Sequence, residues 1–392
     1  MRPLRVALLT YSVKPRGGVV HTLAVAEALV ARGHRVEVFA LARPGERFVR
    51  APGVPVTLVP NHAEEEDFDR RVAAMIDAYR TGLREPLGAG FDVVHAQDCL
   101  SANSAIGLRD EGVLEAVIRT VHHVDDFTSP SLMDCQRRSI LGPDHLLCVS
   151  EPWERRLRAE FGVRARSVGN GVDRTLFPPA RDGAERERDR AAAGLDGRLA
   201  ILAVGGVEPR KGSLTLVEGF ARLRRDQPEL DPLLLVAGGA TLFDYRPYRE
   251  RFAERVEQLG LDLERDVRLT GTLDQETIGL LFRAADLFAF PSLKEGFGLA
   301  LLEAASAGLP IVASDLDVVR SFLRDGESAL LTPVGDAPAL AAALGRLAGD
   351  PDLRGSLRAG ADRVARAHDW ASVAERHEQA YRTILAGRAA AA

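Results

Sequence analysis

Residues 291–310 read PSLKEGFGLALLEAASAGLP, and the fold is read outward from them. An apolar run, 286–290, ends at Pro291 and Ser292, and the turn Glu295-Gly296-Phe297-Gly298 follows. Leu299–Ala307 is rich in Ala and Leu and stops at Gly308-Leu309-Pro310. Apolar run, glycine turn, helix and helix stop together make a strand–turn–helix unit of an α/β sheet. The helix is apolar on every face except at Glu303 and Ser306, which predicts burial. An unpaired carboxylate in such a helix costs several kcal/mol or loses its charge, so Glu303 is expected to meet a partner. Free N–H groups and the positive dipole end at a glycine-opened helix N-terminus favour a phosphate. Glu295 stands on the other side of the turn. Eight helical residues span ~12 Å, too far for the hydrolase pair of carboxylates at ~5–6 Å. The spacing suits the two ends of an elongated ligand with phosphates between them, such as a nucleotide sugar.

The 392 residues predict two domains, with cores built from a chain that is 46% hydrophobic. A net charge of −5 argues against a nucleic-acid partner. Cys99, Cys135 and Cys148 show no CxxC spacing, which fits a reducing cytoplasm and no structural zinc. The first apolar run, Val6–Leu9, is too short for a signal peptide, and no run approaches the ~20 residues of a membrane span. A cytoplasmic protein is expected, with peripheral membrane contact left open. Only 3 lysines stand against 48 arginines, and Lys211 and Lys294 fall in the motifs below.

Along the chain, Leu4–Thr10 reads as a buried strand, Gly17-Gly18 opens a helix to Ala31, and Arg35–Leu41 is a second strand. The pattern lacks G-x-G-x-x-G. Further strands are read at Val54–Val59, Phe91–Ala96, Val117–Val121, His145–Ser150 and Arg164–Val168, with helices between most of them. The acidic run Glu64–Asp69 reads as a solvated loop leading a helix. Around Asp182–Arg190 the sequence GAERERDR reads as a solvated connector, with a helical extension as the alternative. A second α/β alternation begins at Leu199. The organisation expected is an amino-terminal Rossmann-like domain over 1–175, a linker over 176–198, a second Rossmann-like domain over 199–367, and a final helix over 368–392. The expected sheets are parallel, with ligands at the carboxyl ends of their strands and a cleft between domains as the site.

These motifs resemble those of the retaining glycosyltransferases of family 4, which have the two-domain GT-B fold. Glu295 and Glu303 match the family's E-x7-E, inside P-S-x-x-E-G-F-G-L at Pro291–Leu299. Gly17-Gly18 matches the glycine-rich amino-terminal turn, Thr120-Val121-His122 a strand-end T-V-H, and Val149–Glu151 the V-S-E. Asn170–Asp173 matches N-G-V-D, and Gly205–Gly212 matches G-x-x-x-x-x-K-G. The resemblance covers nearly the whole chain.

It implies that Glu303 binds the donor ribose and Glu295 the sugar hydroxyls, with backbone N–H groups of Gly296, Phe297, Gly298 and Leu299 on sugar and diphosphate. It implies further that Lys211 neutralises the diphosphate, that Gly17 or Gly18 lets backbone approach it, and that His122 contacts the transferred sugar. Many members carry Arg where this chain has Gly206, and Arg210 is the candidate replacement. The implied donor is a UDP-, GDP- or ADP-sugar, the acceptor a hydroxyl, and no metal or other cofactor is expected. Asp125 and Asp126 are adjacent rather than spaced as D-x-D and read as loop residues. Asp98 reads as an acceptor-side residue or a helix cap. A nucleotide-sugar epimerase and a non-catalytic nucleotide-sugar sensor are the alternatives. Trp370, Val373, Tyr381 and Ile384 form one stripe of the final helix, which is expected to pack on the amino-terminal domain. Removing it is expected to leave both sheets folded.

Overall fold

Short apolar runs with glycine-rich exits become parallel strands, because each can bury both faces only when helices cover the sheet on both sides. The computed structural model describes residues 2–391 except 64, 66, 128, 196 and 240–244. The chain divides into two compact units, Met1–Gly171 with Trp370–Ala392, and Val172–Asp369.

The first unit runs β1 (Arg5–Thr10), α1 (Gly17–Ala31), β2 (Arg35–Ala42), β3 (Val56–Pro60), α2 (Phe68–Gly88), β4 (Val93–Ala96) and α3 (Cys99–Asp110). It continues with β5 (Ile118–Val121), α4 (Pro130–Leu141), β6 (His145–Cys148), α5 (Glu151–Phe161) and β7 (Ala165–Ser167). Its seven strands are ordered β3-β2-β1-β4-β5-β6-β7, all parallel. The order reverses between β1 and β4, so a crevice opens at their carboxyl ends.

The second unit runs α6 (Gly183–Ala192), β8 (Leu199–Val204), α7 (Ser213–Asp226), β9 (Pro232–Ala237), α8 (Arg246–Gln258), β10 (Val267–Gly271) and α9 (Gln275–Ala284). Then come β11 (Leu287–Phe290), α10 (Leu299–Ala307), β12 (Ile311–Ser314), α11 (Asp317–Arg320), β13 (Leu330–Thr332), α12 (Ala337–Gly349) and α13 (Pro351–Ala367). The sheet order is β10-β9-β8-β11-β12-β13, again parallel, with its switch point between β8 and β11. Its core joins Ile201 and Leu234 of the sheet to Leu216, Val217 and Phe220 of α7. Each such side chain contributes about 1.5–3 kcal/mol when fully buried.

The chain re-enters the first unit at Trp370 as α14 (Trp370–Ala391). Val373, Ala374, Ala380 and Tyr381 are buried against α1 and β1, with Trp370 and Ile384 partly buried beside them. The stripe read from the sequence is the face that packs.

Three local readings differ from the structure. The charged stretch read as a connector forms α6, whose Arg186 and Arg190 both bind Asp286, at 2.6 and 2.9 Å. Arg190 is buried and donates also to the carbonyls of Ala284, Leu195 and Arg198. A second helix, α4, follows β5 where none is read from the sequence; Ser129 caps it and Pro130 starts it. Third, the strand read over His145–Ser150 ends at Cys148, and Ser150 is the N-cap of α5. Within the acidic run, Asp67 caps α2 by accepting from Arg70 N at 2.9 Å, while positions 64 and 66 lie outside the described residues.

Candidate functional site

In the second unit the candidate side chains come from the loops after β8 and β11 and from α10. Gly212 lets these loops touch: it has φ 64°, and a Cβ there would lie 2.0 Å from the Pro291 carbonyl oxygen. Only glycine fits both demands. Leu293 N donates to Arg210 O at 2.8 Å and closes the two loops together. On that scaffold Lys211 Nζ donates to Glu295 Oε1 at 2.6 Å, and Arg210 Nη1 to the same oxygen at 2.7 Å. Ser292 Oγ adds a third bond at 3.2 Å. Lys211 also lies 5.1 Å from the centre of the Phe290 ring, a cation–π contact. Burial pulls the Lys211 ammonium below its ordinary value, while Glu295 pulls it up and Arg210 pulls it down.

The sequence leaves open whether Arg210 points with Lys211 or away from it. The structure brings both to one carboxylate. Glu295 is thus held by the two cations rather than standing free.

The turn at Glu295 ends at Gly298, φ 99°, which serves as the N-cap of α10. Being a glycine, this N-cap makes no side-chain cap bond to the helix. Its first N–H groups therefore keep the capacity for an anion. Gly296, Phe297 and Gly298 are buried and Leu299 is the first helical residue. Phe297 fixes the turn by stacking on Phe322, centroids 4.7 Å apart and planes within 2°.

Glu303, one turn into α10, meets no hydrogen-bond or ion-pair partner among the described residues. Burial instead pushes its carboxyl up to about 7, with Lys211 the opposing influence. Lys211 thus acts electrostatically on both carboxylates of the motif.

The first unit gathers its candidates at the carboxyl ends of β1, β4 and β5. Gly17 begins α1, and a Cβ on Gly18 would touch the His122 ring at 3.7 Å, so the glycine turn and His122 are neighbours. His122 Nε2 bonds Gln97 Oε1 at 3.0 Å, and its ring meets His21 edge-on at 4.8 Å. Burial holds His122 well below its ordinary value, with His21 the next influence, so it is neutral. His21 in turn bonds Asn170 Oδ1 at 2.6 Å, and burial lowers it to about 4. Behind them His95 is fixed between Tyr381 OH at 2.7 Å and Thr120 Oγ1 at 2.8 Å.

Gln97, His21, His95 and Tyr381 were not singled out from sequence as partners of His122. A histidine among apolar neighbours on a strand or helix was the one available signal. His123 pairs with Asp125 at 3.0 Å, away from His122's partners. Asp98 is a helix cap: it accepts from Ser101 N at 2.8 Å and also from Tyr11 N at 2.8 Å. Among the described residues no group of three His, Cys, Asp or Glu side chains could hold a metal ion. Among the same residues no helix is long and apolar enough to cross a membrane.

Residues 15–176 match glycosyltransferase family 4, and residues 185–364 match the glycosyl transferases group 1. The chain is 31% identical to the phosphatidyl-myo-inositol mannosyltransferase of Mycolicibacterium smegmatis, over 95% of this chain and 92% of that one. It belongs to the family 4 glycosyltransferases. A second relative of the family, the D-inositol 3-phosphate glycosyltransferase of Kribbella flavida, is 27% identical over 99% of this chain and 98% of that one. The fold is GT-B, as in the structure of Anabaena HepE in complex with UDP-glucose. That match has a TM-score of 0.78 and 18% identity, over 97% of this chain and 100% of HepE.

Proposed function

We propose that this family 4 glycosyltransferase takes its sugar from a nucleoside diphosphate and transfers it to a hydroxyl with retained anomeric configuration, without a metal ion. The observation that carries the donor assignment is the convergence of Lys211 and Arg210 on Glu295, beside the uncapped N-terminus of α10. As the bond between the anomeric carbon and phosphate oxygen breaks, the diphosphate gains charge. Two fixed cations and helix N–H groups meet that charge electrostatically, which is the task a metal ion performs elsewhere. Glu295 keeps the cations in place and offers its second carboxylate oxygen to sugar hydroxyls. Glu303 takes the ribose hydroxyls. Neutral His122, with Gly18 alongside, contacts the transferred sugar. The leaving phosphate oxygen accepts the acceptor's proton on the face from which it departs, and this gives retention without a protein nucleophile.

One named relative acts on phosphatidyl-myo-inositol and the other on D-inositol 3-phosphate, so these two are the first acceptors to try. The test is a panel of UDP-, GDP- and ADP-sugars scored by thermal shift. The true donor at about 100 times its Kd adds ~2.7 kcal/mol of stability. Turnover with that donor is then followed by NMR of the product anomer, with and without EDTA. An inverted anomer, or activity abolished by EDTA and restored by a divalent ion, would overturn the mechanism. A panel without any stabilising nucleotide sugar would overturn the donor class.

A further inference from the structure

At the amino ends of β8, β11 and β12 the second unit holds a cavity of about 450 Å³. Leu199 and Leu287, the first residues of β8 and β11, stand on its wall beside Pro310, which precedes β12. Lys211 and Glu295 lie beyond the carboxyl ends of β8 and β11, and the four residues of β11 put ~13 Å between the two places. Every lining residue belongs to Val172–Asp369, so the cavity is complete within one unit.

The wall carries Arg186, Arg283, Arg354 and Arg358 against two carboxylates, Asp182 and Asp286. Arg283 is matched by Asp189 at 2.6 Å. Arg186 is anchored through Nη2, which donates to Asp286 Oδ1 at 2.6 Å and to Ala285 O at 3.3 Å. Asp286 also serves the buried Arg190, so its one charge is divided between two cations. Arg354 is anchored through Nη1, which donates to Leu347 O at 2.6 Å and Ala348 O at 2.7 Å in the last turn of α12. The other N–H groups of Arg186 and Arg354 meet no acceptor among the described residues.

Arg358 has no hydrogen bond and no ion pair at all among those residues. It follows Arg354 by four positions on α13, so both side chains leave the same face of that helix. Its Nη2 reaches the carbonyl end of α10, 3.7 Å from where a Cβ on Gly308 would stand, and the helix dipole there favours a cation. Partial loss of water, then the like charges of Arg186 and Arg354, pull its guanidinium below the ordinary value. A guanidinium keeps its proton nonetheless. Three cations thus surround one space, and only a shared carboxylate answers them. Arginine forks match phosphate oxygens two at a time, and a phosphate has oxygens enough for several forks. The cavity falls within the ~300–1,000 Å³ of small-molecule sites, which leaves room for a body beside the phosphate. Asp182 caps α6 by accepting from Glu185 N with Oδ1 at 2.7 Å, and its second oxygen can accept from a hydroxyl.

We propose that this cavity binds a small metabolite through a phosphate monoester, with Arg354 and Arg358 on the phosphate oxygens, Arg186 as the third charge, and Asp182 accepting from a hydroxyl of the ligand's body. The site lies at the opposite edge of the sheet from Lys211 and Glu295, so its occupant does not compete for the Glu295 turn.

The experiment titrates the full chain calorimetrically with glycerol 3-phosphate and with inorganic phosphate, at an ionic strength held constant with chloride. Glycerol 3-phosphate is expected to bind at one site per chain and more tightly than inorganic phosphate, because only it carries hydroxyls. Equal affinity for the two, or no saturable binding with a Kd below about 1 mM, would overturn the proposal. Arg358→Gln is the deciding variant, since an exposed side chain without a partner is not needed for folding. It should weaken binding about tenfold or more, the scale of one charge-assisted hydrogen bond. Arg358→Lys should recover part of that loss, because it restores the charge without the fork. Unchanged binding in Arg358→Gln would refute the site. The cations at the Glu295 turn are the competing location. Lys211→Ala should leave the binding intact, and a tenfold loss there would move the phosphate to that turn.

Discussion

Glu303 holds its proton close to neutrality because the helix around it excludes water and Lys211 compensates only in part. The sign of the effect follows. The folded-state value is about 7 and the ordinary one 4.5, so stability is highest below pH 4.5 and declines as pH rises toward 7. In the proposed role ribose hydroxyls donate to the ionised carboxylate, so nucleotide-sugar affinity should rise with pH up to about 7, by at most roughly tenfold per unit. In Glu303→Gln both dependences should vanish, with affinity lower by on the order of 1.5–3 kcal/mol at pH 8. Titration calorimetry at pH 6 and 8 reads this, and an unchanged pH slope in the variant would remove Glu303 from the ribose. Lys211 calls for a different measurement, because in the proposed mechanism the charge it meets grows toward the transition state. Lys211→Ala should lower kcat about 10²–10³-fold while donor binding falls far less. Equal losses in binding and kcat/KM, with kcat unchanged, would make Lys211 an anchor only. Arg210 and Lys211 share one Glu295 oxygen, so the double variant should be non-additive.

At the scale of elements, what is local in the chain is what the sequence discloses. β11, the glycine turn and α10 are legible because apolar run, glycine and helix stop all fall within 286–310. Glu295, Lys211 and Arg210 could be named for the same reason: each stands in a short motif. The partners of His122 could not, since Gln97, His21 and His95 become its neighbours only when β1, β4 and β5 are laid side by side. Helix α4 is missed although Ser129-Pro130 is an ordinary start signal, because its buried face is only Leu132, Cys135, Ser139 and Ile140. Helix α6 misleads for another reason. Six of its ten residues are charged, and the residue that orders it, Asp286, lies 100 positions from Arg186. Asp286 accepts from Arg186, Arg190 and Ala200 N, the last at 2.8 Å. Asp286→Asn should therefore destabilise the second unit by about 2–3 kcal/mol, below the range for a fully buried pair because the side chain is 25% exposed. Urea denaturation measures it, and a change under roughly 0.5 kcal/mol, the scale of a surface substitution, would show that α6 is held by other contacts.

The whole chain closes on itself: the first unit begins with β1 and is completed by α14, more than 300 residues later. The sequence reading of the final helix leads to the expectation that each sheet folds without it. The packing argues otherwise. Val373, Ala374, Ala380 and Tyr381 belong to the same core as Leu8 and Leu29, and Tyr381 is fully buried. Removing them uncovers α1 and leaves His95 Nδ1 without the Tyr381 hydroxyl it bonds at 2.7 Å. Losing one large buried aromatic side chain costs about 3–5 kcal/mol, and an unsatisfied buried polar group about 1–3 more. Against a total domain stability of about 5–15 kcal/mol, the sum with Val373 and the two alanines is decisive. Truncation after Asp369 is thus expected to unfold the first unit and spare the second, whose whole sheet lies within Val172–Asp369. Scanning calorimetry should show one surviving transition with about half the enthalpy, since unfolding enthalpy scales with residues folded. Limited proteolysis should leave a resistant fragment covering roughly 172–369. Full enthalpy in the truncated protein would mean that the first sheet stands without its last helix. Full protein with Tyr381→Phe, which keeps the ring and removes only the hydroxyl, should retain both units and lose about 1 kcal/mol. That variant separates the missing hydrogen bond from the missing core.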